Sequence, residues 1–343
     1  MTLSAIRQPS VDDYLQHASA GDIHAATRYV LDHMEAGVTV PSLLELLCDA
    51  QRATGRAWQQ DRWTVADEHL VTGVTQAVLN ALAAAFPVLL DDAPSLVVLC
   101  AEGEWHALAA QLFAEALHER GRRVHFLGAS TPAADLARFL ERRDVGAVGL
   151  SCSLPLHYRG IASLADAAHD LGVPVLAGGR ALTASRAGRL GADAFASDPA
   201  SAAEVLDRWI VTPPEVDSRP TILDPAALSL EAQAVTLGAL AFGELAERFP
   251  AIADYDDRQR TRTRQDLEHI VRFTAAARLV DDPTVLAEFF VWLADVLEVR
   301  GVPVAALTAG VEALRPFVAE QDAEAAALLD SELVAAGLSS API

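Results

Sequence analysis

No lysine occurs in the chain: all 26 basic residues are arginine, set against 47 acidic ones for a net charge of −21. That absence excludes a lysine Schiff base to pyridoxal phosphate or retinal, and a P-loop lysine. The shortage of positive charge also argues against a nucleic-acid partner, which would need a basic face for phosphates. Cysteine is scarce, with Cys48, Cys100 and Cys152 widely spaced in apolar runs and no CxxC pair. An odd number at such spacing fits reduced, buried thiols and not a disulfide framework or a zinc site. The opening MTLSAIRQPS has no basic segment followed by an apolar one, so no signal peptide is visible. Long apolar runs are lacking too; each is shorter than a membrane span or is broken by charge. The expectation is a soluble cytoplasmic protein with no nucleic-acid or membrane partner.

What is present is apolar and periodic. The 343 residues are 52% hydrophobic but only 6% aromatic, enough for two or three domains. Residues 1–90 read as a four-helix bundle, with apolar residues at helical spacing over 11–17, 23–35, 41–57 and 65–86. Asp22 and Thr39-Val40-Pro41 supply helix starts. Residues 91–210 alternate short apolar runs (96–101, 124–127, 147–151, 173–177 and 192–195) with amphipathic helices. Those helices fall near 106–119, 132–142, 159–171, 182–190 and 201–210. Such alternation predicts a doubly wound, Rossmann-like parallel sheet. Residues 211–221, with three prolines, read as a linker. Residues 222–343 are helical again, about five helices. Asp282-Pro283 would be N-cap and first helical residue, with Gly301 and Pro303 marking the next boundary. The fold class is α/β plus all-α.

Ligands of open α/β sheets sit beyond the carboxyl ends of the strands. There the first strand is followed by Glu102-Gly103-Glu104-Trp105-His106, the third by Ser151-Cys152-Ser153-Leu154, and the fourth by Gly178-Gly179-Arg180. A histidine able to bind a metal, two hydroxyls and a double glycine thus converge on one edge.

Glu104-x-His106, Ser151-x-Ser153 and Gly178-Gly179 resemble the signature of the cobalamin-binding domain. The resemblance implies that His106 is the axial ligand beneath cobalt, and a neutral imidazole suits that metal. Glu104 would bond the other ring nitrogen and fix the tautomer. Gly178 and Gly179 would allow the cofactor tail close to the backbone, and Ser151 or Ser153 would bond its buried base. The family's glycine three residues after the histidine is Ala109 here. In the bundle, the stretch AWQQDRWTVADEHLVT carries Trp58, Val65 and Glu68-His69. It resembles the Trp…Glu-His motif in the helical cap of light-sensing cobalamin proteins, which implies that these residues cover the upper face and its adenosyl group. Taken alone, Trp58 reads equally as a bundle-core aromatic. The position beside Trp58, where some relatives place a cobalt-capturing histidine, is Gln59, which leaves His69 as the nearby candidate.

The segment 260–303 resembles globin-like sensor domains, in particular the bilin-binding domain of photocobilins, in which such a domain is fused to a cobalamin domain. Beyond the linker, His269 is the only histidine. On a helix it shares a face with Arg262, Gln265, Asp266 and Phe273. Arg258, Arg262 and Arg264 suit the propionates of biliverdin, His269 or Asp266 its pyrrole nitrogens, and Trp292, Phe289 or Phe290 its rings. His269 could equally ligate haem iron. No cysteine lies beyond the linker, so a bilin there is expected to be non-covalent.

These readings together predict a light sensor using adenosylcobalamin and biliverdin. It would work by a ligand-controlled two-state change that alters self-association or an unknown protein partner, not as a turnover enzyme. The alternatives are a corrinoid shuttle for methyl transfer and a haem–cobalamin sensor. The DNA-binding module common in such photoreceptors has no counterpart before the bundle, and the acidity moves the expected output towards protein contacts and a homo-oligomer.

Overall fold

The computed structural model describes residues 8–86, 90 and 92–338. The chain divides into two compact units, one of Met1–Ser153 with Ser163–Arg219, the other of Leu154–Ala162 with Pro220–Ile343. The second unit thus draws a short segment out of the stretch 91–210.

The first unit opens with four helices: α1 (Val11–Ser19), α2 (Ile23–Glu35), α3 (Val40–Gln59) and α4 (Val65–Ala85). Their starts are chemical. Ser10, Asp22 and Thr39 each accept a backbone N–H of the first turn, Pro41 sits where its missing N–H is harmless, and Thr64 with Asp67 closes a reciprocal capping box. Leu43, Leu47, Val71, Val78, Leu79 and Leu82 form the bundle core, and Leu108 and Leu112 from the sheet domain join it. Each such leucine contributes about 2 kcal/mol by leaving water.

The sheet is parallel, in the order β2-β1-β3-β4-β5. Its strands are β1 (Ser95–Cys100), β2 (Val124–Gly128), β3 (Val145–Ser151), β4 (Val175–Gly178) and β5 (Ala194–Ala196). The helices α5 (Ala107–Glu119), α6 (Ala133–Leu140), α7 (Tyr158–His169), α8 (Ala184–Arg189) and α9 (Pro199–Val211) lie between or after them. Cys100, Ser151, Gly178 and Ala196 are in register across one row, so the strand ends line up as a common edge. The chain order reverses beside β1, which opens the crevice between the loops after β1 and β3.

The second unit holds α10 (Pro225–Arg248), α11 (Asp257–Leu279), α12 (Thr284–Val299), α13 (Val304–Gln321) and α14 (Ala323–Ala335), with 3₁₀ turns at Pro155–His157 and Pro250–Asp254. Arg278 ties it together, its guanidinium meeting Asp224, Asp322 and Glu324. Two of those carboxylates also cap α10 and α14.

Four sequence expectations shift. The helix expected to start at Pro283 starts at Thr284, while Asp282 still caps it by accepting the Thr284 amide at 3.0 Å. The fourth strand starts at Val175 and not at 173, because Pro174 has no N–H for the ladder. The break between the last helix of the first unit and the next runs over 212–224. Finally, α10 is long and apolar enough to cross a membrane by length and composition, against the expectation that no such stretch exists. It buries Ala227, Leu230, Ala234, Leu237, Ala241 and Leu245 within the second unit.

Candidate functional site

The loop leaving β1 builds the centre of the site. Glu104 is completely buried, while the His106 side chain is 61% exposed. One Glu104 oxygen, Oε1, lies 2.5 Å from His106 Nδ1 and accepts the His106 amide at 3.0 Å. The other, Oε2, accepts the Ser153 amide at 2.9 Å. A buried carboxylate with both oxygens occupied is held rigidly. Burial alone would push its pKa up, but the His106 bonds and the Ser153 amide overcome that and hold it down to about 2. The hydrogen bond that its Nδ1–H donates to Glu104 raises the His106 pKa in turn, against the opposing effect of burial. With Nδ1 committed to the carboxylate, Nε2 is left as the ring's ligand atom.

Other predicted residues converge here. The charge of Glu68 on α4 pulls the His106 pKa upward and that of Arg180 pulls it downward, which brings both into this histidine's surroundings. Ser151 ends β3, beside Gly178 in the register. Trp105 is 76% exposed and Val65, the first residue of α4, is 48% exposed. Trp58, near the end of α3, is half-buried, and His69 lies 3.4 Å from the Glu68 carboxylate with its own side chain largely exposed. Leu154 belongs to the second unit.

Two of the expected residues also serve the chain itself. Ser153 reaches Glu104 through its backbone N–H. The glycines are demanded by the local backbone. A Cβ on Gly179 would stand 2.4 Å from the Cys152 carbonyl oxygen, at a φ of +109°, and one on Gly178 would stand 2.8 Å from the Ala196 oxygen. Ala109 is exposed on α5, so its methyl faces outward.

Ser130 escaped the sequence reading. Its hydroxyl accepts the Gly103 amide at 3.1 Å, its own amide donates to the Glu104 carbonyl at 3.0 Å, and its φ is +48°. The run Gly128-Ala129-Ser130-Thr131 at the end of the second strand was the available signal. Among the described residues no group of three or more metal-ligating side chains gathers, so a metal here would depend on His106 with a chelate brought by the ligand. The donor set fits a corrinoid: one oriented imidazole whose side chain is largely exposed.

The comparisons with known proteins decide the matter. Residues 94–206 match the family described as B12 binding domain, and residues 11–83 match a second B12 binding domain family. The first unit is built to bind cobalamin. The two matches cover the helical bundle and the sheet that carries Glu104 and His106. The HTH-type transcriptional repressor CarH of Myxococcus xanthus is 37% identical over 109 residues, 32% of this chain and 34% of that protein. The match spans about a third of that relative's length. The Methanosarcina barkeri monomethylamine corrinoid protein is 16% identical and covers 57% of this chain and 95% of its own at a TM-score of 0.51, a likeness of fold. A novel cobalamin-binding protein from Desulfitobacterium hafniense DCB-2 is 21% identical over 58% of this chain and 98% of its own, at a TM-score of 0.33 that carries no weight.

In the second unit, the predicted residues lie on α11 and α12. Burial pushes the Asp266 carboxyl up to about 6, opposed by the charge of Arg262. His269 is half-buried and its pKa is lowered, first by burial. One turn on, Phe273 stacks on Phe289 with ring centroids 3.8 Å apart, and Trp292 lies 5.9 Å from Phe289. Arg264 lies over the Phe242 ring. Asp266 lines a cavity of about 50 Å³ with Thr263, Tyr255 and apolar side chains. That volume suits a water-sized molecule and not a tetrapyrrole, so the cavity itself does not fit biliverdin or haem.

Proposed function

We propose that this protein is a light sensor that holds adenosylcobalamin on His106 and takes a bilin, biliverdin by chemistry, non-covalently on the second unit. When bound, the adenosyl form supplies a cobalt–carbon bond that visible light breaks. The observation that carries the reading is the Glu104–His106 pair: a buried carboxylate fixes one ring nitrogen and leaves the other as an axial ligand. Glu68 and Trp58 on the cap support the adenosyl form, the carboxylate as acceptor for ribose hydroxyls and the indole as a flat face against adenine. The cap also rests on the sheet domain through Leu108 and Leu112 and through an amide ladder, Gln76 to Gln111 to Asn80. Contacts made by Trp58 and Glu68 are therefore added to a standing interface, and their presence or loss can bias the cap between two positions. The output would be altered self-association or control of a protein partner, without turnover chemistry.

For the second unit the support is the α11–α12 face and not the small cavity: His269, whose pKa burial lowers, and the Phe273, Phe289 and Trp292 rings, with Arg262 for a propionate. Haem on His269 is the competing occupant. A corrinoid shuttle for methyl transfer is favoured by the fold likeness to the monomethylamine corrinoid protein, but Glu68 and Trp58 would then have no adenosyl group to meet.

The test is reconstitution in the dark with adenosylcobalamin and biliverdin, followed by absorption spectra before and after green and red light. Light-dependent change at both wavelengths is expected, and none at either would sink the sensor reading. An iron-dependent Soret band lost in His269→Ala would replace the bilin with haem. Methyl transfer to a thiol with a partner enzyme would favour the shuttle.

A further inference from the structure

The cap buries a hydrogen-bond chain that its core does not require. On α4, Glu68, Thr72 and Thr75 recur at helical spacing and face one way. The Thr72 hydroxyl oxygen lies 2.9 Å from Glu68 Oε1 and 2.9 Å from the Gln51 amide oxygen on α3. The Gln51 amide nitrogen donates to the Thr75 hydroxyl oxygen at 2.9 Å, and so does the hydroxyl of Tyr14 on α1, at 2.9 Å. Thr75 passes its own proton to the Val71 carbonyl. Tyr14 and Thr75 are fully buried, whereas the Glu68 side chain at the other end is 31% exposed.

The chain has a direction. Thr75 is anchored inside the bundle and accepts from both Tyr14 and Gln51, which fixes the Gln51 amide. The Gln51 amide oxygen then stands 2.9 Å from the Thr72 hydroxyl oxygen, as a second acceptor beside Glu68. Thr72 has one hydroxyl proton for two acceptors, and an ionised carboxylate is the stronger of the two. Glu68 Oε1 is therefore held on the bundle side, leaving Oε2 toward His69. A carboxylate on an exposed helix turn would otherwise lose rotamer freedom on meeting a ligand, and ordering it beforehand removes that cost.

We propose that Thr72 is a positioning residue that presets Glu68 and thereby determines which upper-face ligand the cobalamin domain accepts. The proposal rests on the reading of Glu68 as a contact to the adenosyl group. A methyl ligand is too small to reach that carboxylate, so the chain acts on one cofactor form and not on the other.

The test is dark titration of the full chain with adenosylcobalamin and, separately, methylcobalamin, followed by absorption, for wild type, Glu68→Gln, Thr72→Val, Thr72→Ser and Gln51→Met. Thermal unfolding of each apo-protein checks the fold, and Thr72→Ala serves if Thr72→Val folds poorly. Loss of one charge-assisted bond predicts that Thr72→Val weakens adenosylcobalamin binding about tenfold and leaves methylcobalamin within about twofold, whereas Gln51→Met, which leaves Glu68 as the acceptor of the Thr72 proton, should bind both cofactors as wild type does. Thr72→Ser, which keeps the hydroxyl, should bind both as wild type does. If Glu68→Gln loses the preference for adenosylcobalamin but Thr72→Val keeps it, or if Thr72→Val weakens both cofactors equally, the positioning role is overturned. If Glu68→Gln binds the two cofactors just as wild type does, the reading of Glu68 itself fails and the proposal falls with it.

Discussion

Two of this molecule's histidines, His106 and His269, stand in surroundings that are opposite in construction. At His106 the second ring nitrogen, the buried carboxylate and the neighbouring backbone amide are joined into one satisfied network. At His269 the surroundings shift the ring's pKa without organising it: burial pushes the pKa down while the charges of Glu268 and Arg272 pull in opposite directions. Nearby Asp266 is raised to about 6 by burial. A preorganised imidazole is ready for a metal whose remaining ligands arrive with it. An imidazole among stacked rings is ready, at most, for a flat apolar partner. The contrast teaches that residue type is weak evidence of a site, and that the group behind the residue is strong evidence.

Breaking the organised site should have the largest effect. His106→Ala removes the axial ligand, and cobalamin affinity should fall on the order of a hundredfold or more, with the bound cofactor's absorption changing to that of a form lacking histidine. Glu104→Gln keeps the shape but not the charge and should cost roughly tenfold in affinity. His269→Ala, the matching change in the other region, should leave the cobalamin spectrum unaltered. A cobalamin spectrum that survives His106→Ala would remove the distinction between the two regions altogether.

Gly179→Ala tests whether the glycine serves the chain or the ligand. Its Cβ would meet the Cys152 carbonyl at 2.4 Å in a left-handed conformation. The apo-protein should therefore lose roughly 3 kcal/mol, read as a lower midpoint in denaturant, before any cobalamin is added. A variant as stable as wild type that only binds cobalamin poorly would restore the sequence reading. In the second unit, Arg278→Ala leaves Asp224, Asp322 and Glu324 without their shared cation. The expected loss is about 2 kcal/mol, moderated because the two aspartates keep their capping amides and because the arginine is partly exposed.

The sequence was a good guide where the physics is local. Caps at Asp22 and Thr39, the apolar runs of the strands, and the two-residue step from Glu104 to His106 all act within a turn or a loop. It was a poor guide where partners are distant in the chain. The Glu104 oxygen that accepts the Ser153 amide, the Ser130 clamp on Gly103, and the Gln51–Thr72 bond join segments that only folding brings together. The backbone role of Ser153 carried no residue-type signal, since any amide could donate. The double glycine was visible but its reason was not, because the crowding oxygen belongs to Cys152, far from it in sequence.

The smallest effect, and the one that most sharpens the contrast, concerns Asp266. Its carboxyl is held up to about 6 by burial, with Arg262 pulling the other way. An unfolded aspartate releases its proton near the ordinary value of 3.8. The folded unit thus binds that proton more tightly than the unfolded chain does. Its stabilising contribution is complete below about pH 4 and is lost as pH rises through about 6, the reverse of an ion-paired carboxylate. Asp266→Asn should abolish that slope and raise stability at pH 7 by on the order of 1 kcal/mol, measured by denaturant unfolding between pH 5 and 7.5. Glu104, by contrast, is held down to about 2 and contributes stability throughout that range. If a bilin nitrogen bonds the ionised Asp266, added biliverdin should remove the pH 5 to 7.5 slope in the wild type and do nothing in Asp266→Asn. If the slope is unchanged by biliverdin, Asp266 is a buried acid of the cavity and not part of a chromophore site.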